Sequence, residues 1–455
     1  MASLSIAYNN VNFYIMTPSR DDKPLVYFIG IGGIGMSALA RWFLSQGYNV
    51  MGSDISDSGT VKELQKEGVR VKIGPHNPKN ITKEVKRVIY NQAIEKNNPE
   101  LQKTLELNIP AQTYPESLGE LTKIYKTIAI AGAHGKSTTT SLVALILQKA
   151  KLDPTVIVGT KLKEFGNKNF RNGKSDYLVI EADEYKASFL NYSPYAALIT
   201  NIDHEHLDFY KNISNIKKTF VQFLNKVHPY GLVVLNKDNT HLKSISRKVK
   251  NPIVWYSMKG SEAKFIKSIL KIPGRHNLSN AVGAYNIGRA LGIKKSDILE
   301  TLGEYNGAWR RSEYKGDYNK IKIFDDYAHH PTEIKATLQG FKEKFPNHRL
   351  VCIFQPHQVE RLKMLFNKFV SALSLADDLM LLDIYKVAGR EEDAGAMTSE
   401  YLAKNISNKS KKPVPVIKTI GQLKIALNKN SDKNKIAIMM GAGNINEWTD
   451  HLINI

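Results

Sequence analysis

Short apolar runs alternate with amphipathic stretches along almost the whole chain. Leu25–Ile29 is the first apolar run, and a helical pattern follows it through Leu44. The same alternation continues towards the C-terminus, which is typical of α/β proteins with mostly parallel sheets. We therefore predict an α/β fold. The later segments expected to form strands are 49–54, 128–130, 177–181, 197–201, 230–236, 321–324, 350–354, 379–383 and 436–440.

A glycine-rich turn joins the first predicted strand to its helix. The next strand, Asn49–Asp54, ends in an acidic residue about twenty positions later, as in dinucleotide-binding units. Taken alone, this pattern favours NAD or FAD and thus an oxidoreductase. A helix N-terminus binds any pyrophosphate, however, so the turn does not separate a dinucleotide from another nucleotide. The residues that would cradle the phosphates are Gly30, Gly32, Gly33 and Gly35.

A second glycine turn, Gly132–Thr138, is the most informative segment of the sequence. It follows an apolar strand and opens an apolar helix, so its backbone N–H groups can face a polyphosphate. Lys136 would reach the β- and γ-phosphates, and Ser137 would ligate Mg²⁺. The turn is two residues shorter than the general P-loop, and a plain strand–helix turn with a surface lysine is the alternative. We predict ATP binding by Gly132, His134, Gly135, Lys136, Ser137 and Thr138.

The length of 455 residues exceeds one ordinary hydrophobic core and predicts several domains. The two glycine turns each open their own α/β unit. The fold class we predict is α/β with a Rossmann-like N-terminal domain, a central P-loop ATPase-like domain and a C-terminal Rossmann-like domain. Their expected ranges are 24–124, 125–309 and 310–455, after an extension over residues 1–23. A Lys/Ser/Asn run at Asn405–Lys412 is predicted to be a solvated loop.

Composition narrows the class of protein. Hydrophobic residues make up 42% of the chain and charged residues 24%, and no apolar run is long enough to span a membrane. The one cysteine, Cys352, fits a reducing cytoplasm and is expected to be a buried strand thiol. The net charge of +21 raises a nucleic-acid-binding ATPase as a rival. Because the lysines are scattered and no Arg-rich or aromatic–basic stripe occurs, we predict no nucleic-acid partner. The sequence predicts neither a monomer nor a particular oligomer.

Seven motifs follow one another along the chain. They are Gly30–Ser37, Gly132–Thr139, Glu181–Glu184, Thr200–His206, Gly274–Ala281, Asp325–Ile334 and Gln355–His357. Taken in this order, they resemble the Mur ligases, the ATP-dependent amino-acid ligases of bacterial cell-wall synthesis, and the resemblance runs from about Leu25 to the C-terminus. Within the family it is strongest to the branch that joins L-alanine to the lactyl carboxylate of UDP-N-acetylmuramate. The branch that recycles ready-made peptides onto this sugar nucleotide is the nearest alternative.

The resemblance implies substrates, cofactors and site residues. ATP and Mg²⁺ would activate the sugar carboxylate as an acyl phosphate, which an amine then attacks. The first glycine turn would hold a UDP-sugar in place of NAD, and Ser37 would contact one of its phosphate oxygens. Asp54 would either cap the neighbouring loop or meet the uridine. The expected metal ligands are Ser137, Glu181 and His206. The nucleotide would also meet His276, Asn277 and Asn280, and either Asp325 or Asp326 would hold its ribose.

The C-terminal motifs imply where the amino acid binds. Tyr327, His330 and Arg361 would line its site, and the residues expected to act in catalysis are Lys136, His206, His329 and Arg361. The sequence departs from the family at two places. Gln358 replaces the first arginine of the family motif Q-P-H-R-x-x-R, which removes a strong contact with the incoming carboxylate. Either Arg361 suffices, or a neighbouring lysine helps, or the preferred amine differs from L-alanine. His204-Glu205 replaces the usual Pro-Asp. Arg310-Arg311 would bind a phosphate or an anionic substrate, or form an exposed hinge.

Overall fold

The computed structural model describes residues 23–385, 395, 397–429 and 434–453. Its contacts divide the chain into two compact units, Met1–Ser117 and Leu118–Ile455. The predicted N-terminal extension lies outside the described residues except for Lys23. Within the described part of the chain, no helix is both long and apolar enough to cross a membrane.

The first unit contains one five-stranded parallel sheet in the order β3-β2-β1-β4-β5. The central strand β1 is buried from Val26 to Ile29, as is typical of the middle strand of a parallel sheet. Its elements are β1 Leu25–Ile29, α1 Ile34–Ser45, β2 Asn49–Asp54, α2 Gly59–Lys66, β3 Arg70–Ile73, β4 Val85–Tyr90, α3 Pro99–Glu106 and β5 Ala111–Thr113. Helix α4, Tyr114–Ile124, follows them.

The second unit begins with a seven-stranded sheet in the order β12-β11-β10-β6-β9-β7-β8. Only the edge pair of β7 and β8 is antiparallel among the described strands. The elements are β6 Lys126–Ala131, α5 Lys136–Lys149, β7 Thr155–Leu162, β8 Lys168–Arg171, β9 Tyr177–Glu181, β10 Ala196–Ile199, α6 Leu207–Tyr210, α7 Ile213–Leu224, β11 Leu232–Asn236, α8 Thr240–Ile245, β12 Ile253–Tyr256, α9 Ser261–Ile269, α10 Arg275–Ala290 and α11 Lys295–Glu304.

A second sheet of this unit has five strands in the order β13-β14-β17-β15-β16, of which only β13 runs antiparallel to its neighbour. The elements are β13 Glu313–Tyr318, β14 Ile321–Asp326, α12 Pro331–Lys344, β15 Arg349–Phe354, α13 Val359–Met364, α14 Phe366–Leu373, β16 Asp378–Leu381, α15 Ser399–Ser410, α16 Ile420–Asn428, β17 Lys435–Met440 and α17 Ile445–Ile453. Cys352 lies fully buried on β15, as predicted, and burial raises the pKa of its thiol.

The α/β fold class is confirmed, and each predicted domain range contains one of the three sheets. The expected strands form within a few residues of their predicted ends. The loop predicted at Asn405–Lys412 is wrong, because α15 continues to Ser410. Leu402, Ala403 and Ile406 form a buried stripe at helical spacing. Their packing holds the helix, while its polar Lys/Ser/Asn residues remain at the surface.

Candidate functional site

The turn between β6 and α5 has room only for glycine at two positions. Gly132 has φ +131°, and a Cβ there would lie 2.2 Å from the Thr200 hydroxyl. Gly135 has φ +84°, and its Cβ would lie 2.3 Å from the Asn280 side-chain oxygen. Asn201, just after β10, holds the turn, since its side chain both accepts from and donates to the backbone of His134 at 2.9 Å. The segment after β10 and helix α10 therefore impose the shape of the phosphate-binding turn.

Lys136 stands at the start of α5 and is held by two acceptors. Its ammonium donates to the Gly132 carbonyl and to the Glu184 carboxylate, both at 2.9 Å. Burial alone would lower the pKa of Lys136, but Glu184 and Asp183 outweigh it and raise the pKa above its ordinary value. The ammonium is thus charged at neutral pH and positioned at the turn that would hold the phosphates.

A group of metal-ligand side chains lies beside this lysine. Asp183, Glu184 and His206 bring one ligand atom each within 4.8 Å of one another. The two carboxylates are the oxygen ligands that Mg²⁺ prefers, and the imidazole adds a third donor atom, so the group can accept a divalent cation. The sequence predicts His206 as a ligand, but neither Asp183 nor Glu184. The predicted ligand Glu181 instead accepts a hydrogen bond from the backbone of Gly159 at 3.0 Å.

A cavity of about 440 Å³ opens next to the turn, a size suited to a small-molecule ligand. Three separate motifs of the sequence meet in it: the second glycine turn, the start of α10 and the end of β14. The predicted nucleotide-binding residues that line it are His134, Gly135, Thr138, His276, Asn277, Asn280 and Asp326. Sequence reasoning gave no role to Asn239, Thr240 and His241, whose only signal is that they follow the end of β11. It also gave none to Ser279, which lies on α10 within the motif Gly274–Ala281.

Two polar atoms at the start of α10 are buried without a partner among the described residues. They are the Nδ1 of His276 and the side-chain nitrogen of Asn280. The amide of Asn277, by contrast, donates to the Pro273 carbonyl at 2.7 Å and so steadies the helix start. Buried polar atoms without partners are costly, and a ligand in the cavity would supply the missing hydrogen bonds.

The two aspartates at the end of β14 have different surroundings. Asp326 lines the cavity and accepts hydrogen bonds from the backbone and hydroxyl of Ser312 at 2.8 and 3.0 Å. Asp325 is fully buried beside Arg310, and burial raises its pKa to about 7. Successive residues of a strand point to opposite faces, so only one aspartate can meet the ligand. This placement favours Asp326 for the predicted contact with the nucleotide.

Arg310 and Arg311 also differ in role. Arg310 is 4% exposed, not an exposed hinge residue, and its guanidinium donates to the carbonyls of Gly441 and Gly443. The glycine turn after β17 is therefore bound by an arginine of the same unit. Arg311 lines the cavity and donates to the Ser137 hydroxyl at 3.3 Å. It links the start of the C-terminal segment to the phosphate-binding turn.

The segment after β14 places two histidines against the cavity side of the unit. The Nδ1 of His329 lies 2.9 Å from the Tyr327 carbonyl, and His330 caps α12 by accepting from the Thr332 backbone at 3.3 Å. Burial lowers the pKa of His329 and that of His330 to about 4 each. Both rings are therefore neutral at pH 7.

His134 connects the glycine turn to α12 through two carboxylates. Its Nε2 lies 3.0 Å from Asp203, and its Nδ1 lies 3.5 Å from Glu333. Burial alone would lower the pKa of His134, but these carboxylates raise it to about 10. The sequence predicts His134 as an ATP-binding residue and gives no sign of this ion-pair network.

The segment after β15 carries the residues expected to bind the carboxylate of the amino acid. Arg361 lies in α13, and its Nη1 is buried with no partner in the described part of the chain. Gln358 precedes the helix in a left-handed conformation, with φ +63°. The structure thus contains an unpaired guanidinium N–H on the predicted binding segment and a neutral side chain at the position of the missing arginine.

The first unit has its own glycine turn between β1 and α1. The Asp54 carboxylate accepts hydrogen bonds from the backbone N–H of Gly32 at 2.8 Å and of Ser56 at 3.1 Å. It therefore caps the turn, which is one of the two roles predicted for it. A Cβ on Gly32 would lie 2.8 Å from that carboxylate. Ser37 is fully buried and its hydroxyl donates to the Ile34 carbonyl at 3.0 Å, which argues against its predicted phosphate contact. The other glycines of the turn are Gly30, Gly33 and Gly35.

A buried carboxylate network that no sequence motif predicts lies in the same unit. Glu100 is fully buried near the start of α3 and accepts hydrogen bonds from Tyr27, Ser53 and Asn80. Burial alone would raise the pKa of Glu100, but its bonds to His76, Ser53 and Asn80 lower it. The carboxylate thereby joins the middle of β1 and the end of β2 to the loop before β4. A lone acidic residue in a helix gives no sequence signal for this role.

Comparison with family models covers most of the chain. The model of the Mur ligase family catalytic domain matches residues 25–126, that of the Mur ligase middle domain matches 130–270, and that of the Mur ligase glutamate ligase domain matches 310–443. A UDP-N-acetylmuramate–L-alanine ligase of Clostridium perfringens is 39% identical over 94% of this chain and 97% of its own. The corresponding protein of Aquifex aeolicus is 37% identical over 94% and 96%. The chain therefore belongs to the Mur ligase family.

Solved structures agree with this membership. The UDP-N-acetylmuramate-alanine ligase of Thermotoga maritima superposes with a TM-score of 0.79 at 27% identity, over 94% of this chain and 98% of that one. A murein peptide ligase of Psychrobacter arcticus reaches a TM-score of 0.70 at 22% identity over the same shares, which supports the fold alone.

Proposed function

We propose that this protein is an ATP-dependent ligase that joins L-alanine to the lactyl carboxylate of UDP-N-acetylmuramate in peptidoglycan precursor synthesis. The observation that carries the proposal is the cavity where the phosphate-binding turn, the start of α10 and Asp326 meet. This is the arrangement that an ATP-using ligase needs. The substrates are those named for the relatives of Clostridium perfringens and Aquifex aeolicus.

The reaction runs in two steps. A carboxylate oxygen of the sugar nucleotide attacks the γ-phosphorus of ATP, which gives an acyl phosphate and releases ADP. The amine then attacks the acyl carbon, forms the amide and releases phosphate. In the first step two anions must approach each other, and the charged ammonium of Lys136 reduces their repulsion. Arg311, which donates to Ser137 at the same turn, is placed to add positive charge.

Mg²⁺ belongs to the proposal. Asp183, Glu184 and His206 would hold a magnesium ion, with Ser137 and Glu181 as the ligands expected from the sequence. The ion would neutralise phosphate charge when bound. Lys136 now pairs with Glu184, and it would exchange this carboxylate for phosphate oxygens when ATP binds.

A cytoplasmic location is also proposed, because the chain's one cysteine fits a reducing compartment.

The assignments of the remaining site residues are proposals as well. His276, Asn277, Asn280 and Asp326 would meet the nucleotide, and the first glycine turn with Asp54 would hold the UDP-sugar. Tyr327, His330 and Arg361 would hold the amino acid, and His329 would stand beside the reacting groups. The three ranges 24–124, 125–309 and 310–455 would be the domains that carry these three sites.

Phosphate release tests the proposal. The protein would be incubated with ATP, Mg²⁺ and UDP-N-acetylmuramate, and then with L-alanine, other amino acids or a tripeptide. We expect release that depends on both the sugar nucleotide and L-alanine. Release with the tripeptide alone would identify a recycling ligase, which the relatives do not favour. Turnover of a nicotinamide cofactor without ADP, or ADP release stimulated by nucleic acid, would contradict the proposal.

A further inference from the structure

Glu205 differs from the other carboxylates near the cavity. Its side chain is 16% exposed, and the nearest histidine nitrogen is the Nε2 of the neutral His330, 3.8 Å from the carboxylate oxygen. A ring nitrogen of the charged His134 lies within 4.8 Å of the carboxylate. In the part of the chain that the structure describes, no group donates a hydrogen bond to it. Asp203 and Glu333 lie close by but are bonded to His134 and to the backbone of His329, respectively. Glu205 therefore has acceptor capacity that a ligand can use.

The neighbouring histidine explains why this carboxylate is not already satisfied. His330 accepts the Thr332 backbone N–H at its Nδ1, so its ring proton is on Nε2. That Nε2–H faces Glu205 from a distance too long for a hydrogen bond. The same tautomer disfavours a metal ion between His134, Glu205 and His330, although their ligand atoms cluster, because Nε2 has no lone pair to give.

A cationic group lies in the same region. Arg361 and Glu205 influence each other electrostatically, yet no salt bridge between them occurs among the described residues. The Nη1 of Arg361 is buried without a partner in the same set. A carboxylate that accepts no hydrogen bond and a guanidinium with an unpaired N–H thus lie in one region of the unit.

We propose that Glu205 binds the amino group of the incoming amino acid while Arg361 binds its carboxylate. A free amino acid carries both charges, and the two residues offer one partner to each. The ammonium or amine N–H donates to the Glu205 carboxylate, and the substrate carboxylate accepts from the guanidinium. Binding of the amino acid through both its amino group and its carboxylate also offsets the loss of the family arginine that Gln358 replaces. The inference rests on the proposed function, whose second step needs this amine.

The two steps of the reaction distinguish a role of Glu205 in binding the amine from a role in forming the acyl phosphate. Glu205→Gln keeps the size of the side chain and removes its charge, Glu205→Asp keeps the charge, and Glu360→Gln is a matched control at an exposed carboxylate next to Arg361. Acyl phosphate formed from ATP and UDP-N-acetylmuramate without an amine would be trapped by borohydride reduction. The apparent KM for L-alanine would come from steady-state phosphate release.

We expect Glu205→Gln to form acyl phosphate at the wild-type level, which also shows that it is folded. Its KM for L-alanine should rise about 10- to 100-fold, the effect of losing one charged hydrogen bond. Glu205→Asp should recover part of this loss, and Glu360→Gln should match the wild type. With L-alaninamide, which has no carboxylate, the Glu205→Gln effect should persist and that of Arg361→Ala should disappear.

Two results would overturn the inference. One is an unchanged KM for L-alanine in Glu205→Gln. The other is a loss of acyl phosphate in that variant, which would place Glu205 on the phosphate side of the reaction. If the wild-type protein itself forms no acyl phosphate with UDP-N-acetylmuramate, the proposed function fails and not merely the role of Glu205.

Discussion

Arg361 and Gln358 are expected to contribute unequally to binding of the amino acid. Arg361→Ala should raise the KM for L-alanine far more than Gln358→Ala, because it removes the cationic partner of the substrate carboxylate. Gln358→Arg should lower this KM by roughly tenfold, since a charge-assisted contact contributes about 1.5–3 kcal/mol. Steady-state kinetics on the three variants measure both effects. An unchanged KM in Arg361→Ala would remove this loop from the amino-acid site.

His134 gives the fold a specific pH dependence. Its folded pKa of about 10 lies above its ordinary value of 6.5, so its ion pairs contribute fully below pH 6.5 and are lost as the pH rises through 10. The melting temperature of the wild type should therefore exceed that of His134→Gln most at pH 6 and least near pH 10. The difference in unfolding free energy at pH 6 should be about 1–3 kcal/mol.

An exposed histidine provides the comparison for this pH effect. His451→Gln in α17 changes an exposed ring and should shift the melting temperature little at either pH. A constant difference between wild type and His134→Gln from pH 6 to pH 10 would contradict the ion-pair role of His134.

At the scale of elements, the turn before α5 depends on its glycines for space as well as for backbone conformation. Gly135→Ala should lower ATP affinity strongly, because its Cβ would meet Asn280 at 2.3 Å. Gly166 has a similar left-handed φ of +67°, but a Cβ there would have no other atom within 4 Å. Gly166→Ala should thus cost only the backbone strain, about 1–2 kcal/mol of stability, and keep ATP affinity.

Calorimetric titration with ATP and thermal melting distinguish the two glycines. Equal ATP affinity in both variants would show that contact with Asn280 does not shape the phosphate site.

At the scale of the whole molecule, the two glycine turns belong to different compact units. Lys136→Ala should therefore reduce turnover by at least about 100- to 1000-fold and leave the affinity for UDP-N-acetylmuramate nearly intact. Phosphate release measures the first effect, and calorimetry with the sugar nucleotide measures the second. A large loss of sugar-nucleotide affinity would mean that the two sites are not separate.

Local patterns determined much of this protein. Apolar runs predicted most strands within a few residues, and strand–glycine–helix order located both turns, because these features depend on neighbours in the sequence. Where these local patterns gave a wrong prediction, the packing of side chains determined the structure. The helical Asn405–Ser410 segment is held by the buried stripe of α15, which runs from Leu402 to Ile406 and so reaches into that segment.

The site required the tertiary structure. Sequence order cannot show that Asp326 faces the cavity while Asp325 is buried, or that Asp183 and Glu184 join His206. It also cannot show that His134 is charged and His330 neutral, since each pKa depends on burial and on carboxylates brought from elsewhere in the chain. The sequence by itself determined which chemical groups are present and in which order. Only folding decided which of them meet, because contacts between distant strands and helices set distances, burial and charge together.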